Sequence, residues 1–323
     1  TRYFMKFGLL KYRNNESNIG DYIQSLAAKR FLPQVDLLVS REKLNEVKES
    51  LYIILNGWFM HHPSHWPPSE NVTAKFVSFH INDFAKEQMT NEKSIAYYKK
   101  HEPIGCRDKF TEKLLKDKGV DAYFSGCLTL TLEKEKYVRN EKEDVIFCDI
   151  LSHKNDTDDD LNVTTWKKIR NPHKIVISKS SEIISNYKIE KKTRKLMKKL
   201  IPKDIREQAI YISNQNFEAK THEDKFKIAE DLLAKYTSAK LVVTSRIHVA
   251  LPCLAFNTPV IFIHPERDTS RLSGLTELFH TFTTKQIEET SKEELQDLFL
   301  KASLGNKPDY KKLRDDLING FKN

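Results

Sequence analysis

The chain has 323 residues, 39% hydrophobic and 10% aromatic, enough for about two domains and too apolar for a disordered or fibrous chain. Four scattered cysteines and no run near the ~18 apolar residues of a membrane span exclude a disulfide scaffold and a membrane-spanning protein. Fifty-four basic against 45 acidic residues leave a net charge of +9, which favours anionic partners without choosing among nucleic acid, lipid surface and phosphorylated substrate.

In chain order, Tyr3–Leu10 reads as a strand. Ile23, Leu26, Ala27 and Phe31 fall at helical spacing within Gly20–Phe31, and Pro33 stops that helix. Val35–Val39, Leu51–Leu55 and Lys75–His80 follow as strands, and Asp83–Lys100 as a polar helix. Ile104–Cys106 is a short strand, Asp108 caps a helix that Gly119 ends, and Asp121–Phe124 is a strand again. A charged stretch from Leu132 to Asp144 reads as a linker.

Val145–Ile150 then opens a second strand series. Lys174–Ile177 is a strand or a helix start, and Ile183–Leu200 is largely helical. Ala209–Ser213 (strand), Asp224–Lys235 (helix), Lys240–Val243 (buried strand), Arg246–Phe256 (helix) and Pro259–Ile263 (strand) come next. Lys292–Lys301 and Tyr310–Phe321 close the chain as helices. Strands alternating with helices predict parallel sheets. The expected fold class is α/β, with two Rossmann-like domains, residues 1–142 and 143–323, facing a cleft.

The segment Val242–Ala250 carries the sharpest site. A buried strand runs through a short turn at Ser245 into a helix with Arg246, Ile247 and His248 in its first turn. A fixed cation and an imidazole then stand beside free backbone N–H groups, where a phosphate or carboxylate binds. The bland alternative makes Arg246 the partner of a structural carboxylate and His248 a satisfied core histidine. Arg107, between Cys106 and Asp108, projects from another strand end, or else pairs with Asp108 on the surface. Arg267 and Arg271 follow a third strand end, over the same cleft. Asn18-Ile19-Gly20-Asp21 opens the first helix, where Gly20 allows close approach and Asn18 or Asp21 caps.

The loop Asn56–Pro68 is expected to expose Trp58 and Trp66 with His61, His62 and His65. Aromatic faces beside hydrogen-bonding side chains suit a sugar. A metal site there lacks a nearby Cys or carboxylate, and a purely structural loop is the other alternative. His80, at the end of the next strand, points toward the same space. Lys188–Lys203 is a basic run whose Leu196, Met197, Leu200 and Ile201 could lie on an anionic membrane, or a solvated helix face. Asp156–Asp160 lacks the Gly and Glu of a calcium loop and reads as a solvated turn.

Asn18–Asp21, Leu55–Trp58, Ile104–Asp108 with Gly119-Val120, Phe124–Leu130, and Val242–Val260 with Arg246-Ile247-His248 and Asn257-Thr258-Pro259 together resemble the polysaccharide pyruvyl transferases. Asn56-Gly57-Trp58 departs from the Gly-rich run that members often show there. The resemblance implies a glycosyltransferase-B-like pair of domains and phosphoenolpyruvate as donor. It implies a pyruvyl ketal formed across two sugar hydroxyls, in exopolysaccharide or capsule synthesis. Arg107, Ser245, Arg246, Ile247, His248 and Arg271 would bind the donor, with Arg107, Arg246 and His248 serving the chemistry. The acceptor would lie against the N-terminal domain, at Asn18, Asp21, Trp58, His62 and His80, with His62 or His80 positioning or deprotonating a hydroxyl.

No cofactor or metal is needed in that scheme, with phosphoenolpyruvate as co-substrate. The expected partner is a sugar acceptor, undecaprenyl-linked or polymeric. Peripheral membrane contact would run through Lys188–Lys203, and no nucleic-acid partner is expected. No signal peptide is read from Thr1–Met5 onward, so the expected compartment is the cytoplasm, at the inner membrane face. The competing enzyme is a sugar-nucleotide-dependent glycosyltransferase of the same architecture. A non-catalytic module for anionic glycans or nucleic acid is the third reading.

Overall fold

Strands that are buried on both faces read as near-continuous apolar runs, and only parallel sheets flanked by helices are buried that way. The segments Leu51–Phe59, Val72–Ile81, Leu241–Thr244 and Val260–His264 have this character. The computed structural model describes residues 5–139, 143–151, 180–266 and 269–322, with 180–189 by their backbone alone. Lys174–Ile177, Asp156–Asp160 and Arg267 lie outside the described residues.

The first half comprises β1 (Lys6–Lys11), α1 (Ile19–Lys29), β2 (Leu37–Ser40), β3 (Leu51–Phe59), β4 (Val72–Ile81), α2 (Lys86–Met89), α3 (Glu92–Lys99), β5 (Ile104–Cys106), α4 (Lys109–Lys116), β6 (Ala122–Phe124) and α5 (Lys134–Tyr137). Its sheet has the order β2-β1-β3-β4-β5-β6. The second half comprises β7 (Val145–Cys148), α6 (Ser180–Leu200), α7 (Lys203–Gln208), β8 (Ile210–Ile212), α8 (His222–Ser238), β9 (Leu241–Thr244), α9 (Ile247–Ala255), β10 (Val260–His264), α10 (Thr269–Leu272), β11 (His280–Thr283), α11 (Thr284–Glu289), α12 (Lys292–Ala302) and α13 (Tyr310–Asn319). Its sheet has the order β11-β10-β9-β7-β8. Every strand pair in both sheets is parallel. The protein is α/β, built of two Rossmann-like halves.

In each sheet the strand order reverses at one place, between β1 and β3 and between β7 and β9. Such a reversal splays the connecting loops apart and leaves a crevice at the carboxyl ends of the strands. The loops that follow β7 and β9 carry Asp149 and Arg246.

Several expectations need correcting. The strand expected at Leu51–Leu55 runs on to Phe59, so Asn56, Gly57 and Trp58 are strand rather than loop. Gly57 has φ +92, a left-handed backbone that strains any side chain, and a Cβ there would stand 2.7 Å from Gln24 Oε1, so the Gln24 amide would have to shift. The single helix expected over Asp83–Lys100 is instead a short turn, α2 and α3, and the break before α3 falls at Asn91, whose side chain caps the new start by accepting from Ser94 N–H. The membrane reading of the basic run loses its apolar face. Leu196, Met197, Leu200 and Ile201 are buried with Val145, Phe147 and Ile263 in the second core. Among the described residues no helix is long and apolar enough to cross a membrane.

The last helix returns to the first half. Leu313 covers Gly126, Phe321 stacks on Phe31 with ring centroids 4.0 Å apart, and Lys75 Nζ donates to Gly320 O at 2.5 Å.

Candidate active site

Arg107 directly follows β5, and its backbone N–H continues the sheet by donating to Phe79 O at 2.9 Å. That bond aims the side chain inward. Arg107 is 0% exposed, and none of its three guanidinium nitrogens has a hydrogen-bond partner among the described residues. The nearest carboxylate oxygen in an ion pair, Asp108 Oδ2, stands 3.8 Å from Nε. Burial lowers the Arg107 pKa and Arg271 adds to that, while Asp108 opposes it. A buried charge with idle donors is costly to the fold. The surface pairing of Arg107 with Asp108 is therefore overturned.

Asp108 has other work. Its Oδ1 caps α4 by accepting Thr111 N–H at 2.9 Å, and its Oδ2 lies 2.6 Å from His80 Nδ1. Burial pushes His80 down to a pKa of about 4 despite Asp108, with Arg107 and Arg271 adding to the fall. His80 is thus a neutral, buried imidazole beside the cations of the strand ends.

From the second half, Thr244 Oγ1 accepts the Arg246 N–H at 3.0 Å at the end of β9. Arg246 has extended backbone, φ −99 and ψ 120, and is the N-cap of α9 rather than part of its first turn. Ser245 Oγ donates to Ile263 O at 2.7 Å and accepts from Leu151 N–H at 2.9 Å. Ser245 thereby ties the ends of β7, β9 and β10 together, and Ile247 is buried in the core below. His248 is 4% exposed, and its Nε2 has no hydrogen-bond partner among the described residues. Burial, then Arg107, Arg271, Arg246 and His80, hold its pKa well below the ordinary histidine range. Those influences put Arg107 and His80 of one half and Arg246, His248 and Arg271 of the other within electrostatic reach of each other.

The halves meet on both flanks of this group. On one flank, Ile19 N–H donates to Asn214 O at 2.9 Å and Asn216 N–H to Ser17 O at 2.8 Å. A Cβ on Gly20 would lie 3.1 Å from His248 Cβ and 3.1 Å from Asn214 Nδ2. Gly20 thus lets α1 abut the start of α9, the close approach that the sequence anticipates. On the other flank, Lys109 and Phe110 N–H at the start of α4 donate to Ser273 O and Oγ, each at 3.1 Å.

The remaining candidates divide. Asn18 caps α1 by accepting Gly20 N–H at 3.0 Å. Asp21, buried beneath, lies 3.2 Å from Arg41 Nη1 and acts electrostatically on Arg107. Trp58 and His62 belong to a separate group around Arg41. That buried guanidinium lies 4.9 Å from the Tyr12 and Trp58 ring centroids, and its Nε is 3.0 Å from Glu42 Oε1. Glu42 in turn accepts the backbone N–H groups of His61 and His62, and His61 Nε2 stands 3.8 Å from Glu16 Oε2. The expectation of an exposed aromatic loop fails for Trp66, which is buried against Phe59, Phe79 and Tyr98. The indole fills the first core because the chain leaving β3 folds back over β4.

Sequence reasoning missed Asp149, Asn214, Arg41, Glu42 and Ser273. Asp149 was within reach, since it follows the buried run Val145–Cys148 as Arg246 follows Val243-Thr244. The others are brought in by tertiary contacts that no local pattern announces.

His80 and His248 give a pH signature. Both are neutral in the folded protein, whereas an unfolded histidine titrates near 6.5. Unfolding therefore takes up protons as pH drops below 6.5, and stability is lost from there toward pH 4. Each such histidine contributes a slope of about 1.4 kcal/mol per pH unit inside that window. Denaturant melts of wild type and His80→Gln at pH 7, 6 and 5 should show a shallower decline in the variant. Equal slopes would mean that His80 is already protonated in the fold.

A family model described as polysaccharide pyruvyl transferase matches residues 18–266. Among solved structures, the chain is similar to a functionally uncharacterized protein from Klebsiella pneumoniae. The two share 11% identity over 86% of this chain and 92% of that one, with a TM-score of 0.45. No curated protein matches.

Proposed function

The chain belongs to the polysaccharide pyruvyl transferase family, and from that premise we propose that it moves the enolpyruvyl unit of phosphoenolpyruvate onto two hydroxyls of a sugar. One observation carries the reading: Arg107 is wholly buried with idle donors, and with Arg246 and Arg271 it acts electrostatically on His248 across the junction of the halves. A buried cation with idle donors, with two further arginines near the same histidine, calls for a small, multiply charged anion, and phosphoenolpyruvate carries a phosphate and a carboxylate. Guanidinium groups hold either in paired hydrogen bonds.

The reaction balances without a further reactant. C3 of the enol takes a proton, C2 gains oxocarbenium character, and one sugar hydroxyl oxygen bonds to C2. The C2–O bond to phosphate breaks, and the second hydroxyl closes the ketal. Of the two hydroxyl protons, one is balanced by the new methyl group and the other by the departing phosphate. Arg107, Arg246 and Arg271 stabilise charge growing on the leaving phosphate. His248, with a free Nε2, exchanges the proton with donor carbon or phosphate. The acceptor lies on the first half, bounded by Asn18 and Asp21, with Trp58 and His62 farther along the same edge. Phosphoenolpyruvate is a cytoplasmic metabolite, which puts the reaction in that compartment. Lys191, Lys195 and Lys198 stay exposed on α6, so attraction to a lipid carrying an undecaprenyl-linked acceptor is electrostatic alone.

A thermal-shift titration tests the reading. A ligand at 100 times its Kd adds about 2.7 kcal/mol to the folded state. Phosphoenolpyruvate should raise Tm by several degrees, rising with the logarithm of its concentration above Kd, and nucleotide-sugars should not. The reverse pattern would transfer the protein to the sugar-nucleotide glycosyltransferases.

A further inference from the structure

Asp149 follows β7 at the reversal of strand order in the second sheet. It holds a left-handed backbone, φ +44, which a non-glycine residue adopts only when its surroundings fix it. One hydrogen bond and one ion pair hold its side chain there. Its Oδ2 accepts Asn214 N–H at 2.9 Å, from the loop after β8, and lies 3.3 Å from Arg246 Nε, after β9. The sheet order places β7 between β8 and β9, so a carboxylate here can reach both flanking loops.

We propose that Asp149 is a positioning residue: it aims Arg246 into the anion site and, through Asn214, locks that aim to the docking of α1 from the other half. Arg246 shares the surroundings of His248 with Arg107 and Arg271, and like charges around one imidazole repel. A negative partner behind Arg246 offsets that repulsion. The same carboxylate oxygen fixes Asn214, whose carbonyl receives the Ile19 N–H. That N–H is among the first of α1 and has no partner within its own helix. The chain of contacts therefore runs from the donor cation, through one carboxylate, to the helix start that touches His248. This inference rests on the donor reading above.

A double-mutant cycle measures it. Phosphoenolpyruvate affinity is read by calorimetry for wild type, Asp149→Asn, Arg246→Met and the double variant. Asn keeps an acceptor for Asn214 and removes the charge behind Arg246. Asp149→Asn should weaken affinity about tenfold, a usual coupling for directly contacting charged groups. In the Arg246→Met background it should change affinity less than about twofold. The KM for phosphoenolpyruvate should rise more than kcat falls, since a misaimed cation first costs donor capture. Independent effects in the cycle would overturn the proposal. So would tighter binding by Asp149→Asn, which is what removing a negative charge from an anion site does when nothing is being aimed.

A crystal structure of Asp149→Asn gives a second readout that needs no ligand. A reoriented Arg246 guanidinium supports the proposal, and an unmoved one sinks it. If wild type fails to bind phosphoenolpyruvate, the donor reading falls, and the position of Arg246 in that structure still decides this one.

Discussion

His248→Gln is expected to reduce turnover about a thousandfold or more while the protein stays folded. Proton transfer by a positioned side chain accounts for about 10²–10⁴ in rate, and His248 is placed for it. The substitution should be well tolerated by the fold, because Nε2 has no hydrogen bond to lose. The pH dependence separates this role from a packing role. In the free protein the imidazole is neutral well below pH 7, held so by burial and by the surrounding arginines. A general acid acts only when protonated, so kcat/KM should fall about tenfold per pH unit from pH 6.5 to 8, above the pKa of the free imidazole. A bound dianionic phosphate offsets the arginines and raises the His248 pKa, so kcat should begin to fall at a higher pH than kcat/KM. Steady-state profiles check this, and a kcat/KM that stays flat across pH 6.5–8 would contradict it.

Arg107→Met is expected to move stability and function in opposite directions. The buried guanidinium is desolvated, and burial lowers its pKa. A hydrophobic side chain of similar length removes that desolvation cost, which favours the folded state. Asp108 is not orphaned by the change, since His80 and Thr111 still hold it. Denaturant melts should show a more stable variant, and phosphoenolpyruvate should no longer shift its Tm. Binding that survives the change would remove Arg107 from the donor site. A large loss of stability would mean that its charge is satisfied in the fold after all. The expected trade is of the kind seen where a site keeps destabilising groups for function.

How much of this was legible in the sequence depended on where the causes lie. The apolar runs at Leu51, Lys75, Lys240 and Pro259 announced buried parallel strands because burial on both faces leaves no alternation to hide. The polar strand β11, His-Thr-Phe-Thr, has no such run, and it was missed at the sheet edge. Strand-to-helix junctions pointed to Arg107, Arg246 and His248, since the rule that ligands sit at strand ends is local. That Arg107 is wholly buried, or that His80 stands with the cations, was not readable, because both depend on how the halves meet. Trp66 misled for the opposite reason. Its histidine- and proline-rich surroundings look like a surface loop, while its indole lies within the first core.

The return of the C-terminal helix to the first half has a mechanical consequence. Among the described residues the polypeptide crosses between the halves twice, once after α5 and again between α12 and α13, where Leu313 and Phe321 anchor it. A body tethered by one strand can swivel in any direction. Two tethers define an axle, and torsion about any other line stretches one of them. Motion about that axle would have to part Tyr22 on α1 from Phe226 on α8, whose rings lie 5.1 Å apart, and break the bond from Lys225 Nζ to Asn14 O at 2.6 Å.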